Sequence, residues 1–92
     1  MRIYNQNELE EIHNSCYKNK SQIKLKNQRC GCFYCEKIFI IEDIDEWTDS
    51  KQTAMCPNCD IDSVIIETES LKISESLLKQ MHNRFFNWES KI

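Results

Sequence analysis

Four cysteines fall in two Cys-x-x-Cys pairs, Cys32/Cys35 and Cys56/Cys59, with twenty residues between the pairs. Thiolates at this spacing suit one chemistry above others. Zn2+ takes four ligands tetrahedrally, and each pair can grip it from one tight backbone turn, a knuckle. In Cys56-Pro57-Asn58-Cys59 a proline pre-sets the turn between the ligands. These four residues are the candidate ligands of one structural Zn2+. A closed four-thiolate site leaves no position for water or substrate, so it staples a fold and is catalytically silent. The same thiolates accept iron, and cellular supply then decides. Backbone amides just after the leading cysteine of each pair are expected to bond the thiolates and disperse their charge.

The other reactive side chains are weaker candidates. Cys30 lies two before Cys32, so it is an alternative ligand, an oxidant-sensing spare thiol, or simply a packed thiol, which is the plainest reading. His13 and Cys16 sit three apart, but with four better ligands available Cys16 reads as a small core residue. No histidine lies between Cys35 and Cys56, where a finger-type nuclease needs its general base. No Ser/His/Asp set, phosphate loop, paired-carboxylate pocket or thioredoxin-like βαβ context is visible. The chain is expected not to be an enzyme.

The elements that must position these residues read as one domain, 1–92, of α+β class: a small zinc-ribbon-like β core flanked by an N-terminal and a C-terminal helix. Residues 5–27 are expected to form the first helix. Asn5 and Glu8 fit a capping box, Tyr4 and Leu9 a hydrophobic staple, and Leu9, Ile12, Cys16 and Ile23 share one face. Residues 30–66 carry the ribbon. Lys37-Ile38-Phe39-Ile40-Ile41 leaves the first knuckle as a strand, Thr53-Ala54-Met55 enters the second, and Ser63-Val64-Ile65-Ile66 leaves it as another strand. The alternative is a treble clef, in which the second pair opens a helix; Val64-Ile65-Ile66 starts a helix poorly, which favours the ribbon. Residues 74–89 form the last helix, capped by Ser74, stapled by Ile73 and Leu78, and striped by Leu78, Met81, Phe85 and Trp88.

Ninety-two residues lie near the size at which a hydrophobic core alone is marginal, so a metal staple fits. The formal charge of −3 falls by a further two once four thiolates hold one dication. A phosphate backbone therefore exerts no global pull on the chain. Lys18, Lys20, Lys24, Lys26 and Arg29 cluster early, and Glu42, Asp43, Asp45, Glu46 and Asp49 form an acidic middle; the pattern reads as two solvated faces of opposite sign. No apolar run follows Met1 and none reaches membrane-spanning length. Reduced, metal-binding thiols and a cytoplasmic location are the corresponding expectations.

Aromatic residues mark the candidate contact surfaces. Phe33 and Tyr34 lie inside the first knuckle, where side chains often point outward, and Trp47 follows the acidic run. Phe85 and Phe86 are neighbours about 100° apart around a helix, so both cannot face one core. Phe86 is the one assigned to a partner, with Phe85 and Trp88 in the core. The expected function is protein contact, as an adaptor, inhibitor or immunity-type partner, through Trp47 with Glu42, Asp43, Asp45 and Glu46, and through Phe86. The partner is another protein or a second copy of the chain. The alternative is a nucleic-acid-binding ribbon using Lys18 to Arg29 with Phe33 and Tyr34.

The order of motifs is more specific than the cysteine pairs. Cys30-Gly31-Cys32-Phe33-Tyr34-Cys35, Glu46-Trp47-Thr48-Asp49, Thr53-Ala54-Met55-Cys56-Pro57-Asn58-Cys59, Ile61-Asp62-Ser63-Val64-Ile65, and then Leu78, Met81-His82 and Phe86 follow in sequence. Over about residues 28 to 88 the chain resembles a group of short bacterial cytoplasmic zinc-finger-like proteins. The resemblance implies an intracellular, metal-binding, non-enzymatic small domain with Cys32, Cys35, Cys56 and Cys59 as ligands. Asp60 departs from the pattern, since such proteins tend to place glycine after the last cysteine. Aspartate tolerates the left-handed backbone that this position often needs.

Overall fold

A computed structural model describes residues 3–86. In chain order the elements are helix α1 (Gln6–Asn14), a 3-10 turn (Asn19–Gln22), strands β1 (Arg29–Cys32) and β2 (Ile38–Ile40), a second 3-10 turn (Ile41–Asp43), strands β3 (Trp47–Thr48), β4 (Thr53–Ala54) and β5 (Val64–Ile66), and helix α2 (Glu75–Phe85). Strands β2, β1 and β5 form one antiparallel sheet with β1 in the middle, and β3 and β4 form a separate hairpin. The architecture is a small α+β fold with two helices and two small antiparallel sheets.

Alternation along the strands builds two cores, one on each face of the three-stranded sheet. Cys30 and Cys32 of β1 with Val64 and Ile66 of β5 face one side, where Ile41, Ile44, Ala54 and Cys56 join them. Ile65 faces the other side, against Leu9, Phe33, Ile73, Leu77, Leu78 and Met81. A sheet covered on both faces needs apolar residues at successive positions, as Val64-Ile65-Ile66 supplies. Gly31 is where α2 comes closest: a Cβ there would lie 2.8 and 2.9 Å from the Leu78 methyl carbons. The chain's single glycine sits where the helix leaves no room for a side chain.

Both helix starts follow the local rules. Asn5 Oδ1 accepts from Glu8 N–H at 2.8 Å, and Glu8 Oε1 accepts from Asn5 N–H at 3.0 Å. Ser74 Oγ accepts from Leu77 N–H at 3.1 Å. The helices meet through an Arg84–Glu10 pair at 2.7 Å and through the His13 and Phe85 rings, 4.2 Å apart.

The first helix is shorter than the expected 5–27. It stops at Asn14, with Ser15 as its C-cap and the Ser15 hydroxyl donating to Ile12 C=O at 2.6 Å. Lys18 then takes a left-handed conformation (φ 51°), which no helix can include. The next residues are needed elsewhere. Asn19, fully buried, donates from Nδ2 to Val64 C=O at 2.9 Å and accepts from Ala54 N–H at 3.1 Å. Its amide thus stands in for a strand between β4 and β5. Gln28 ties the following loop in the same way, accepting from Lys24 and Leu25 N–H and donating to Gln22 and Glu67 C=O. The last helix begins as expected and runs to Phe85 with Phe86 as its C-cap; residues 87–89 of the expected 74–89 span, Trp88 included, lie outside the described residues.

Candidate metal centre

The two knuckles are built alike. In the first, Cys32 N–H donates to Lys37 C=O (3.0 Å) and Glu36 N–H to Cys32 C=O (2.8 Å). In the second, Cys56 N–H donates to Ile61 C=O (2.9 Å) and Asp60 N–H to Cys56 C=O (3.0 Å). The residue after each closing cysteine is left-handed, Glu36 at φ 63° and Asp60 at φ 62°. The conformation expected at Asp60 is present, and Glu36 repeats it. The knuckles are joined directly by Phe33 N–H donating to Ser63 C=O at 3.0 Å.

This scaffold brings the four predicted ligands together. The sulfurs of Cys32, Cys35, Cys56 and Cys59 all lie within 4.8 Å of one another. Across the knuckles, Cys32 Sγ is 3.6 Å from Cys59 Sγ, and Cys35 Sγ is 3.7 Å from Cys56 Sγ. A Zn–S bond of about 2.3 Å requires sulfurs about 3.8 Å apart at the edges of a tetrahedron, so the donor set fits the ion. Cys32 and Cys56 are buried, and Cys35 and Cys59 are partly exposed. Cys30 is not a member of the group. Its thiol is buried among the apolar side chains of the same face, 3.7 Å from Gln28 C=O.

Backbone N–H groups converge on the sulfurs, as expected. Asn58 N–H lies 3.3 Å from Cys56 Sγ. Burial pushes the Cys32 thiol well up, and the N–H groups of Cys35 and Tyr34 oppose it. Burial likewise raises Cys59, to about 11, against the Ile61 N–H. Burial would also raise Cys35, but the Lys37 N–H, the Asn58 side chain and the Cys56 and Cys32 thiols outweigh it and hold Cys35 below its ordinary value. A metal dication supplies the charge that lets all four ionise together. Lys37, Ile61 and the Asn58 side chain were not singled out in the sequence. The repeated step of two residues beyond each closing cysteine is the signal that could have found the first two.

The candidate contact residues fall on two separate regions. Trp47 packs on the metal-side core, with Lys20 Nζ 5.7 Å from its ring centroid. Glu42 accepts from Asn27 N–H at 3.0 and 3.1 Å, Asp43 accepts from Ile40 N–H at 3.3 Å, and Asp45 and Glu46 are exposed. The basic and acidic segments therefore touch, rather than forming two distant faces. Phe86 belongs to the helix-side core, with its ring edge-on to Tyr34 at 5.0 Å and 5.5 Å from Phe33. Phe85 and Phe86 are both half-buried because Phe86 is the C-cap of α2, where the helical geometry that would separate them ends.

Phe33 differs from the outward placement expected inside a knuckle. It is 1% exposed and lies under α2, because it follows β1 and continues the strand's alternation onto the helix side. Tyr34 beside it is 42% exposed. His82, on α2, reaches the same knuckle through Nδ1, 3.1 Å from Phe33 C=O. Among the described residues no helix is long and apolar enough to cross a membrane. Comparison of the chain with protein-family models, with curated proteins and with solved structures finds no match.

Proposed function

We propose that this chain is a small cytoplasmic zinc-binding protein whose single Zn2+ has a structural role, and that it acts by contact with another protein rather than as an enzyme. The observation that carries the metal reading is the convergence of four sulfurs within 4.8 Å, with cross-knuckle spacings of 3.6 and 3.7 Å. A strand on the exit of each knuckle, β2 and β5, supports a zinc-ribbon-like core over a treble clef.

Contact with protein is favoured over nucleic acid on two grounds. A buried Phe33 cannot stack on a base, which removes half of the aromatic pair that the alternative needs. The basic segment also lies against acidic and aromatic neighbours, through Lys20 over Trp47 and Asn27 on Glu42, which blunts its field.

Native mass spectrometry of protein purified without added metal tests the first part. One zinc per chain, with unfolding on chelation, is expected; metal-free chains with masses fitting disulfides would overturn it, and the mass difference separates zinc from iron. Titration with single-stranded DNA and RNA at low and high salt tests the second. No binding is expected, and salt-dependent binding would replace protein contact with the nucleic-acid reading.

A further inference from the structure

Pairing in the three-stranded sheet fixes the direction of each backbone group on β2. Ile41 N–H donates to Gln28 C=O (2.9 Å) and Cys32 N–H to Lys37 C=O (3.0 Å), on either side of the Cys30–Phe39 pair. Hydrogen-bonded pairs alternate in an antiparallel ladder, so Ile38 and Ile40 turn their N–H and C=O groups away from β1, toward the open edge. One of these four groups is answered: Ile40 N–H donates to Asp43 Oδ2 at 3.3 Å. Among the described residues the N–H and C=O of Ile38 and the C=O of Ile40 have no partner. The opposite edge of the sheet differs, since Asn19 covers the Val64 carbonyl there. All three β2 side chains are only half-buried.

We infer that the β2 edge pairs antiparallel with the same edge of a second copy of this chain, about a two-fold axis through Phe39, to give a six-stranded sheet. The strand is self-complementary in that register. Ile38 stands opposite Ile40 of the second copy, and each such pair exchanges two hydrogen bonds, so all four outward groups of each copy are answered across the interface, the three open ones included. Phe39 faces Phe39 of the second copy at a non-hydrogen-bonded pair, where side chains approach most closely and aromatic pairs are favourable. The Asp43 carboxylate lies on this edge at Ile40 N–H, so it comes beside Lys37 of the second copy, the neighbour of the Ile38 that pairs with Ile40. Asp43 is freed for that contact because Ile40 N–H exchanges it for the second copy's Ile38 C=O. In the monomer the same carboxylate blunts the edge; in the pair it supplies the opposite charge for Lys37. This interface takes Asp43 from the Trp47 region, does not use Phe86, and goes beyond the function proposed above.

The test uses the full chain with one zinc per chain verified by native mass in every sample, so failure of the metal reading is seen separately. Sedimentation over a concentration series is expected to show a dimer. Hydrogen exchange at the Ile38 amide should slow with rising protein concentration, while the β1–β5 amides stay constant. Lys37→Glu sets like charges beside Asp43 at both ends of the pairing and should weaken the dimer about tenfold. Lys37→Glu with Asp43→Lys should restore it, a rescue that damage to the fold would not produce. A monomer up to about 1 mM, corresponding to less than about 4 kcal/mol of association, overturns the inference. So does a dimer in which Ile38 exchange ignores concentration, which would assign the contact to the aromatic end of α2, or a double variant as weak as the single one.

Discussion

Replacing Asn19 by alanine removes a side chain that bridges β4 and β5 by hydrogen bonds. The Asn19 amide makes two bonds, to Val64 C=O at 2.9 Å and from Ala54 N–H at 3.1 Å, and all three residues are fully buried. Water cannot reach the two groups left behind without opening the fold, and each buried group without a partner costs about 1–3 kcal/mol. The expected loss is therefore about 2–6 kcal/mol, from a total near 5–14 kcal/mol for a domain of this length, at roughly 0.05–0.15 kcal/mol per residue. Asn19→Asp keeps the acceptor for Ala54 but turns an oxygen and a buried charge on the Val64 carbonyl, so it should lose at least as much. Urea unfolding of the zinc-loaded protein, followed by Trp fluorescence and circular dichroism, measures both. The same strands frame the second knuckle, so zinc affinity should fall with stability. A midpoint shift worth less than about 0.5 kcal/mol in Asn19→Ala, at unchanged m-value, would refute the bridging role.

Three further outcomes are expected. Gly31→Ala sets a Cβ within 2.9 Å of both Leu78 methyl carbons and should cost about 1–3 kcal/mol in urea unfolding, with part of the loss recovered by adding Leu78→Ala; equal stability would mean that α2 shifts freely. Zinc uptake should displace at least two protons, because burial keeps Cys32 and Cys59 protonated at neutral pH without metal, Cys59 with a pKa of about 11. Affinity then rises with pH, by at least about 100-fold per unit from about pH 6 to 8, and is lost on acidification; a flat profile in chelator competition would contradict this. Burial, and next the Asp62 carboxylate, raise the Cys16 thiol to about 11. Its thiolate is scarce below that pH, so alkylation near pH 8 should be slow and Asp62→Asn should speed it; labelling at the rate of a free thiol would show that Cys16 is not shielded.

What the sequence revealed was local chemistry. The capping box at Asn5 and Glu8, the Ser74 cap, the left-handed Asp60 and the clustering of the four paired cysteines each follow from short motifs, and each is present. What it concealed depends on distant partners. An apolar spacing that includes Ile23 extends the first helix on paper, but the buried amide of Asn19 is worth more between two strands than on a helix face. Strand β1 was legible only as the approach to a knuckle, because Arg29-Cys30-Gly31-Cys32 carries little strand propensity; it is a strand because β2 and β5 flank it. The β3–β4 hairpin turns through Asp49, Ser50 and Lys51, all left-handed, without the glycine that signals such a turn. Phe33 lies inward because its position continues a strand, a fact that the knuckle motif does not carry.

The alternation along β1 ties folding fidelity to the metal. Cys32 faces the four-sulfur cluster while Gly31, its neighbour, faces Leu78. Slipping β1 by one residue exchanges the two faces: a ligand is lost from one side, and a cysteine side chain is forced under the helix on the other. A one-residue shift therefore leaves three of the four sulfurs together. On the proposed zinc reading, metal capture would proofread the strand alignment against that one-residue shift.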